Sequence, residues 1–101
     1  MEIDALRIAL LAVCAPDHAL LHRIHGELEH WLNRQLATDE IETALAELAA
    51  NDLVEILGCT QGGDWRRIGD AARLEFEQVA YLTTTEGQTI VGARWEEFFP
   101  Q

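Results

Sequence analysis

Basic residues are scarce in this chain, and lysine is absent. The 101 residues include seven arginines against eighteen aspartates and glutamates, which gives a formal net charge of -11 at pH 7. Such an excess of carboxylates creates a negative field that repels phosphate at long range and slows encounters with nucleic acid. The composition therefore disfavours a general nucleic-acid binder, although a local basic patch could still overcome the field.

Long apolar runs are absent as well. No stretch approaches about 18 uncharged apolar residues, so the sequence predicts no membrane span. The most apolar stretch, residues 8–15, follows Glu2 and Asp4 rather than the basic residues of a secretory signal. We therefore expect a cytoplasmic protein. No linker or internal repeat interrupts the chain, which predicts a single domain over residues 1–101.

Cysteines and catalytic motifs are equally scarce. Cys14 and Cys59 are far apart and belong to no CxxC pair, so we expect free or buried thiols rather than a disulfide or a structural zinc site. The chain has no GxSxG, no HExxH and no phosphate-binding glycine loop, and Gly62-Gly63 is typical of an ordinary loop. These absences favour a protein that is not an enzyme and that holds no cofactor or metal.

Helical periodicity dominates the first half of the chain. A first helix is predicted from Asp4, a suitable N-cap, to Ala15, because Pro16 would end it there. A second helix, capped by Asp17, is predicted from His18 to about Arg34. Its apolar stripe consists of Leu21, Ile24, Leu28, Trp31 and Leu32.

A third helix and a pair of strands follow. Thr38 or Asp39 can cap the helix, acidic residues suit its positive end, and Asn51-Asp52 ends it. The buried face of this helix consists of Ile41, Leu45 and Leu48. Strands are predicted over residues 53–57 and 65–68, on either side of a flexible loop at 58–64.

Residues 70–80 fit two patterns. The alternation of apolar residues at 74, 76, 80 and 82 suits a strand, whereas Asp70 could cap a helix with residues 72, 76 and 79 on one face. We favour a strand ending near Thr83, because the hairpin that turns at Gly69-Asp70 needs a return strand. Thr84 or Thr85 then caps a last helix that reaches Phe99.

Two segments together resemble the winged helix-turn-helix proteins. Residues 41–56 (IETALAELAANDLVEI) give an apolar-periodic helix, a short break and a strand, and residues 81–87 (YLTTTEG) resemble the YxLTxxG run that leads into a closing helix. PadR-like and MarR-like regulators and small phage-encoded winged-helix proteins show this pattern. The resemblance implies an α+β winged helix with three N-terminal helices, a two- to three-stranded antiparallel wing and a C-terminal helix. It also implies DNA binding through the third helix.

Two apolar surfaces predict self-association. The first helix buries one stripe, yet Ile8 and Leu11 fall on its other side, and the last helix presents a seam of its own. The terminal helices of many winged-helix proteins pair across a two-fold axis, so the resemblance also implies a homodimer. The predicted interface consists of Ile8, Leu11, Val91, Trp95 and Phe98.

The predicted recognition helix has the wrong charge for DNA. Its outward face holds Asp39, Glu40, Thr43 and Glu47 and no basic residue, whereas base edges are read mostly by Arg, Lys, Asn and Gln. We therefore favour a regulatory or adaptor protein whose acidic helix face binds another protein. The alternative is a transcription regulator that contacts DNA mainly through its wing, at Trp65, Arg66 and Arg67.

Histidines form the last pattern. His18, His22, His25 and Glu29 are spaced i, i+4, i+7 and i+11, which would place them on one stripe of the second helix. Such a stripe can bind a metal ion or form an ordinary polar flank. We favour the polar flank, because helical histidine pairs are frequent and no cysteine lies nearby in the sequence.

Overall fold

The computed structural model describes residues 2–15 and 17–100. In chain order its helices and strands are α1 (Ala5–Val13), β1 (Ala19–Leu20), α2 (Leu21–Leu32), α3 (Thr38–Ala50), β2 (Val54–Cys59), β3 (Trp65–Ile68), a 3-10 helix (Asp70–Glu75), β4 (Val79–Thr83) and α4 (Thr85–Phe98). The strands form one antiparallel sheet in the order β1-β4-β2-β3. The predicted α+β architecture of three helices, a wing and a closing helix is confirmed, with one added strand and one added 3-10 helix.

Helix α1 lies at the centre of the fold. It begins where predicted, because the Asp4 carboxylate accepts a hydrogen bond from the Arg7 backbone N–H at 3.0 Å. It packs against α2, α3 and α4, and Ile8 and Leu11 are completely buried. The prediction that these two residues face a second subunit is therefore wrong, because α4 of the same chain covers that side of α1. The helix ends at Val13, two residues before the predicted end at Ala15, and Cys14 is its C-cap. Pro16, which was expected to stop it, lies outside the described residues.

Helix α2 begins three residues later than predicted. Ala19 and Leu20 are extended and pair with Tyr81 and Ala80 of β4, so Leu20 rather than Asp17 occupies the N-cap position. The apolar residues of this short strand fit the helical pattern that follows it, so local periodicity does not distinguish the strand from the helix. Ile24 and Leu28 are buried as predicted.

Helix α3 and strand β2 are slightly longer than predicted. Ala37 is the N-cap of α3, so Thr38 and Asp39 belong to its first turn. The buried face predicted at Ile41, Leu45 and Leu48 is confirmed. Strand β2 extends to Cys59 because β3 pairs with it as far as the Cys59–Trp65 step.

The segment between β3 and β4 combines the two predicted patterns. Residues Asp70–Glu75 form a 3-10 helix, so the prediction of a strand is wrong there, whereas the predicted strand end at Thr83 is confirmed. Phe76 explains the change, because its ring lies over Gly58, where a Cβ atom would come within 2.8 Å of the ring. Gly69-Asp70 leads into the 3-10 helix instead of forming a hairpin turn. The wing is thus folded back onto the sheet.

Helix α4 closes the structure. Thr84 caps it as predicted, with its hydroxyl accepting a hydrogen bond from the Gly87 N–H at 3.2 Å. Gly87 is buried against Leu53, β4 and α1 at a point with no room for a side chain. Among the described residues, none of the helices has the length and apolar character needed to cross a membrane.

Candidate interaction surface on the third helix

The outward side of α3 carries the predicted acidic face. Asp39, Glu40 and Thr43 are exposed, and Glu47 is half-buried one turn further along. Ala46 and Ala50 complete this side, so no basic side chain of α3 projects from it. The acidic face thus starts at the positive end of the helix dipole, where carboxylates are favourable.

Glu47 is bound to α1. Its Oε2 accepts hydrogen bonds from Arg7 Nη2 at 2.6 Å and from Arg7 Nε at 3.2 Å, and Arg7 also contacts Asp4 at 2.9 Å. Burial lowers the pKa of Arg7, but the hydrogen bonds that its guanidinium donates to Glu47 and Asp4, together with the negative charges of these carboxylates, outweigh burial and raise the net pKa. Glu47 therefore contributes to the docking of α1 on α3, and its charge is already largely compensated.

Two further glutamates of α3 are paired. Arg34 Nη2 lies 2.9 Å from Glu40 Oε2, and this hydrogen bond holds the pKa of Glu40 below its ordinary value. Arg73 of the 3-10 helix lies 3.5 Å from Glu42 and so connects the wing to α3. In the described part of the chain, Asp39 is the one carboxylate of α3 that forms no ion pair.

A groove runs beside this acidic face. One shallow, open hollow of about 600 Å³ follows α3 from Asp39 to Ala50, and a second open hollow of about 540 Å³ lies between the end of α3 and strands β2 and β3. Ala46 and Ala50 line both hollows, so the two adjoin along α3. The far wall is formed by β3 and the 3-10 helix. We call these two adjoining hollows together the α3 groove.

The predicted wing cluster is divided. Alternation along β3 sends Trp65 and Arg67 to one face of the sheet and Arg66 to the other. Arg67 lies 3.8 Å from Asp52 and 3.9 Å from a Glu55 oxygen, whereas Arg66 is exposed. The Trp65 ring packs on His18 with 4.8 Å between ring centroids. The three residues do not form one basic surface.

Most arginines are compensated within the chain. In the described residues, every arginine except Arg66 lies within 4.0 Å of a carboxylate; the six are Arg7, Arg23, Arg34, Arg67, Arg73 and Arg94. The wing itself, residues 60–78, holds four carboxylates and three guanidiniums. The wing therefore offers little positive potential to a phosphate backbone.

The histidines do not converge. His25 Nε2 lies 2.7 Å from the carbonyl oxygen of Leu36, and Glu29 accepts a hydrogen bond from the Leu36 N–H at 2.8 Å. Both side chains thus brace the connection between α2 and α3. His18 precedes β1, outside the helix, and the described residues contain no group of three or more metal-ligand side chains.

An aromatic patch lies at the ends of α2 and α4. Trp31 is 50% exposed and meets Trp95 edge-on at 5.5 Å and Phe99 at 6.0 Å, and Trp95 stacks on Phe99 at 4.5 Å. The sequence analysis placed Trp31 on the apolar stripe of the second helix and Trp95 at a subunit contact, and it did not single out Phe99. Val91 packs on the core, and Phe98 lies beneath the Arg94 guanidinium at 5.5 Å. The patch consists of Trp31, Trp95 and Phe99.

Comparison with known proteins identifies the fold. No protein-family model and no curated protein matches the chain. Among solved structures it is similar to RosR of H. salinarum, with a TM-score of 0.70 and 19% identity over 95% of this chain and 74% of that one. It is also similar to a PadR family transcription regulator from Clostridium difficile R20291, with a TM-score of 0.64 and 14% identity over 93% of this chain and 86% of that one. The predicted winged-helix fold is thereby confirmed.

Proposed function

We propose that this chain is a non-enzymatic regulatory or adaptor protein of the cytoplasm that binds another protein through the exposed side of α3. One observation carries the proposal. The helix that the winged-helix fold offers to a partner exposes carboxylates and small residues and no basic group. Fold alone does not decide between partners, so the chemistry of this surface has to do so.

Electrostatics argue against DNA as the partner of α3. Affinity for duplex DNA comes largely from Lys and Arg side chains that neutralise phosphates and release counterions. Here Arg34 and Arg7 lie near α3, but both are bound to its own glutamates. A phosphate backbone would have to break these pairs and face the carboxylates they leave behind.

Self-association accompanies the proposal. The aromatic patch and Phe98 leave apolar surface at the end of α4, and Trp31 of α2, which adjoins it, is half exposed. Charge opposes pairing of two acidic chains, but a Debye length of about 8 Å at about 0.15 M salt screens most of that repulsion. We propose a homodimer through Val91, Trp95 and Phe98, with Trp31 added to the interface.

A second candidate is a transcription regulator that touches DNA with its wing. Arg66 favours it, because this guanidinium is exposed and forms no ion pair with the described residues. One structural neighbour is described as a transcription regulator. A single arginine among the carboxylates of the wing is weak support, so this remains the alternative.

A DNA titration separates the two candidates. In a fluorescence-anisotropy titration of the purified protein with random duplex DNA, we expect a dissociation constant no tighter than about 10⁻⁵ M at physiological salt. The double variant Arg66→Ala/Arg67→Ala should give the same curve. Submicromolar binding that this variant abolishes would reverse the ranking.

A further inference from the structure

The α3 groove has a floor made of small side chains. Thr43, Ala46 and Ala50 follow one another along α3 at helical spacing, and Ala49 widens the strip where the groove meets Ile68 of β3. No side chain on this strip is longer than threonine. A second helix can therefore approach α3 at the short end of the interaxial range of about 8–10 Å.

The rim of the groove is acidic. Five carboxylates line it, from Asp39, Glu42, Glu47, Glu55 and Asp70, against two guanidiniums from Arg67 and Arg73. Both arginines are already paired, Arg67 with Asp52 and Glu55, and Arg73 with Glu42 and Asp70. Glu47 is paired as well, with Arg7, so the rim holds five carboxylates against three guanidiniums. Asp39 is the rim carboxylate that forms no ion pair with the described residues, and the rim keeps a net excess of two negative charges.

Shape and charge together select the occupant. A second copy of this chain would bring the same carboxylate excess to the rim, and a nucleic acid would bring phosphates. A basic amphipathic helix meets both demands, since its apolar side can lie on the alanine floor while its arginines or lysines reach the rim carboxylates. Helix α3 spans 13 residues, so a partner helix of similar length, about 20 Å, would cover the groove.

We propose that the α3 groove is a docking site for a basic amphipathic helix of a partner protein. This inference rests on the proposed protein-binding role of α3 and specifies the chemistry of the partner. It also assigns a part to the wing, because β3 and the 3-10 helix form the wall that the acidic helix face alone lacks.

A synthetic peptide tests the proposal. The probe is a fluorescein-labelled helix-forming peptide of about 13 residues, with leucines on one face and arginines beside them. One matched peptide replaces the leucines by serine, and another replaces the arginines by glutamate. Binding is measured by anisotropy, and the contact surface is mapped by amide chemical shifts of the labelled protein. We expect the shifts to concentrate at Thr43, Ala46, Ala50 and Ile68, and both matched peptides to bind at least about tenfold more weakly.

Paired variants make the result specific. Ala50→Arg places a long cation in the groove, whereas Ala93→Arg makes the same change at an exposed position of α4. We expect Ala50→Arg to weaken peptide binding by at least about tenfold and Ala93→Arg to change it less than about twofold. Thr43→Arg supplies a second groove variant should Ala50→Arg fail to fold.

Either of two outcomes overturns the inference. One is peptide binding that Ala50→Arg and Thr43→Arg leave unchanged, with shifts elsewhere on the protein. The other is no binding at peptide concentrations up to about 1 mM. Both outcomes leave the DNA titration unaffected, so failure of the docking site is distinguishable from failure of the proposed function.

Discussion

Replacing Gly87 by alanine should destabilise the fold, although alanine is the better helix former. A Cβ atom at this position would lie 2.5 Å from the backbone oxygen of Leu53, 2.6 Å from Thr83 Cγ2 and 3.1 Å from Leu11 Cδ2. The first of these atoms belongs to the backbone and itself accepts a hydrogen bond from the Thr84 N–H at 3.0 Å. It cannot move aside cheaply, so the first turn of α4 has to shift.

The magnitude follows from two opposing terms. Overpacking of this kind costs about 1–3 kcal/mol, and the gain in helix propensity from glycine to alanine returns up to about 1 kcal/mol. We expect a net loss of about 1–2 kcal/mol in the free energy of unfolding. Gly92→Ala in the same helix is the control, because that glycine is exposed and has no neighbouring atom within 4 Å. It should stabilise the protein by about 0.5–1 kcal/mol.

Urea denaturation followed by circular dichroism measures both variants. With an m-value of about 1–3 kcal/mol per molar urea, the midpoints of the two variants should differ by about 1 M, with Gly87→Ala the lower. Equal stabilisation by the two substitutions would refute the reasoning. It would mean that the start of α4 does not pack as closely on Leu53 and β4 as the structure shows.

Two further predictions concern thiol reactivity and self-association. Burial raises the pKa of Cys14 to about 12, so its thiol stays protonated at pH 8. A thiol reagent at that pH should modify the native protein once, at half-buried Cys59, and the unfolded protein twice. Rapid modification of both cysteines in the native protein would contradict this. Sedimentation at micromolar concentration should show about twice the 11.3 kDa chain mass. Phe98→Asp should give the monomer, whereas Gln88→Asp, at an exposed position near the other end of α4, should leave the dimer intact. A wild-type chain that stays monomeric at tens of micromolar would contradict the proposed dimer.

The fold was largely predictable from local signals. The N-caps at Asp4 and Thr84 and the buried stripe of α3 need only neighbouring residues to be recognised, and the structure confirms them. The errors arise from contacts that are distant in sequence. Strand β1 forms because β4 lies beside it. The 3-10 helix forms where the Phe76 ring packs on Gly58, which has no side chain. Neither contact can be recognised from residues that are close together in the sequence.

The residues of the candidate surface were predictable from the sequence, but the ion pairs that compensate their charges were not. The sequence correctly placed Asp39, Glu40 and Thr43 on the open side of α3. It could not show that Arg7 and Arg34 reach across from other segments to compensate Glu47 and Glu40. For the same reason the wall of the α3 groove was not predicted, because β3 and the 3-10 helix form it only when the wing folds back onto the sheet. The alternating directions of side chains on β3, by contrast, could have shown that Arg66 and Arg67 point to opposite faces.

Site-specific photo-crosslinking tests most directly whether α3 binds protein rather than DNA. A photoreactive amino acid would replace Thr43 on α3, and in a control variant it would replace Thr89, an equally exposed threonine on α4. After irradiation of the cells that naturally express the protein, position 43 should give a discrete adduct that protease removes and nuclease does not, and position 89 should not give it. A nuclease-sensitive adduct from position 43, or no discrete adduct there, would contradict the account.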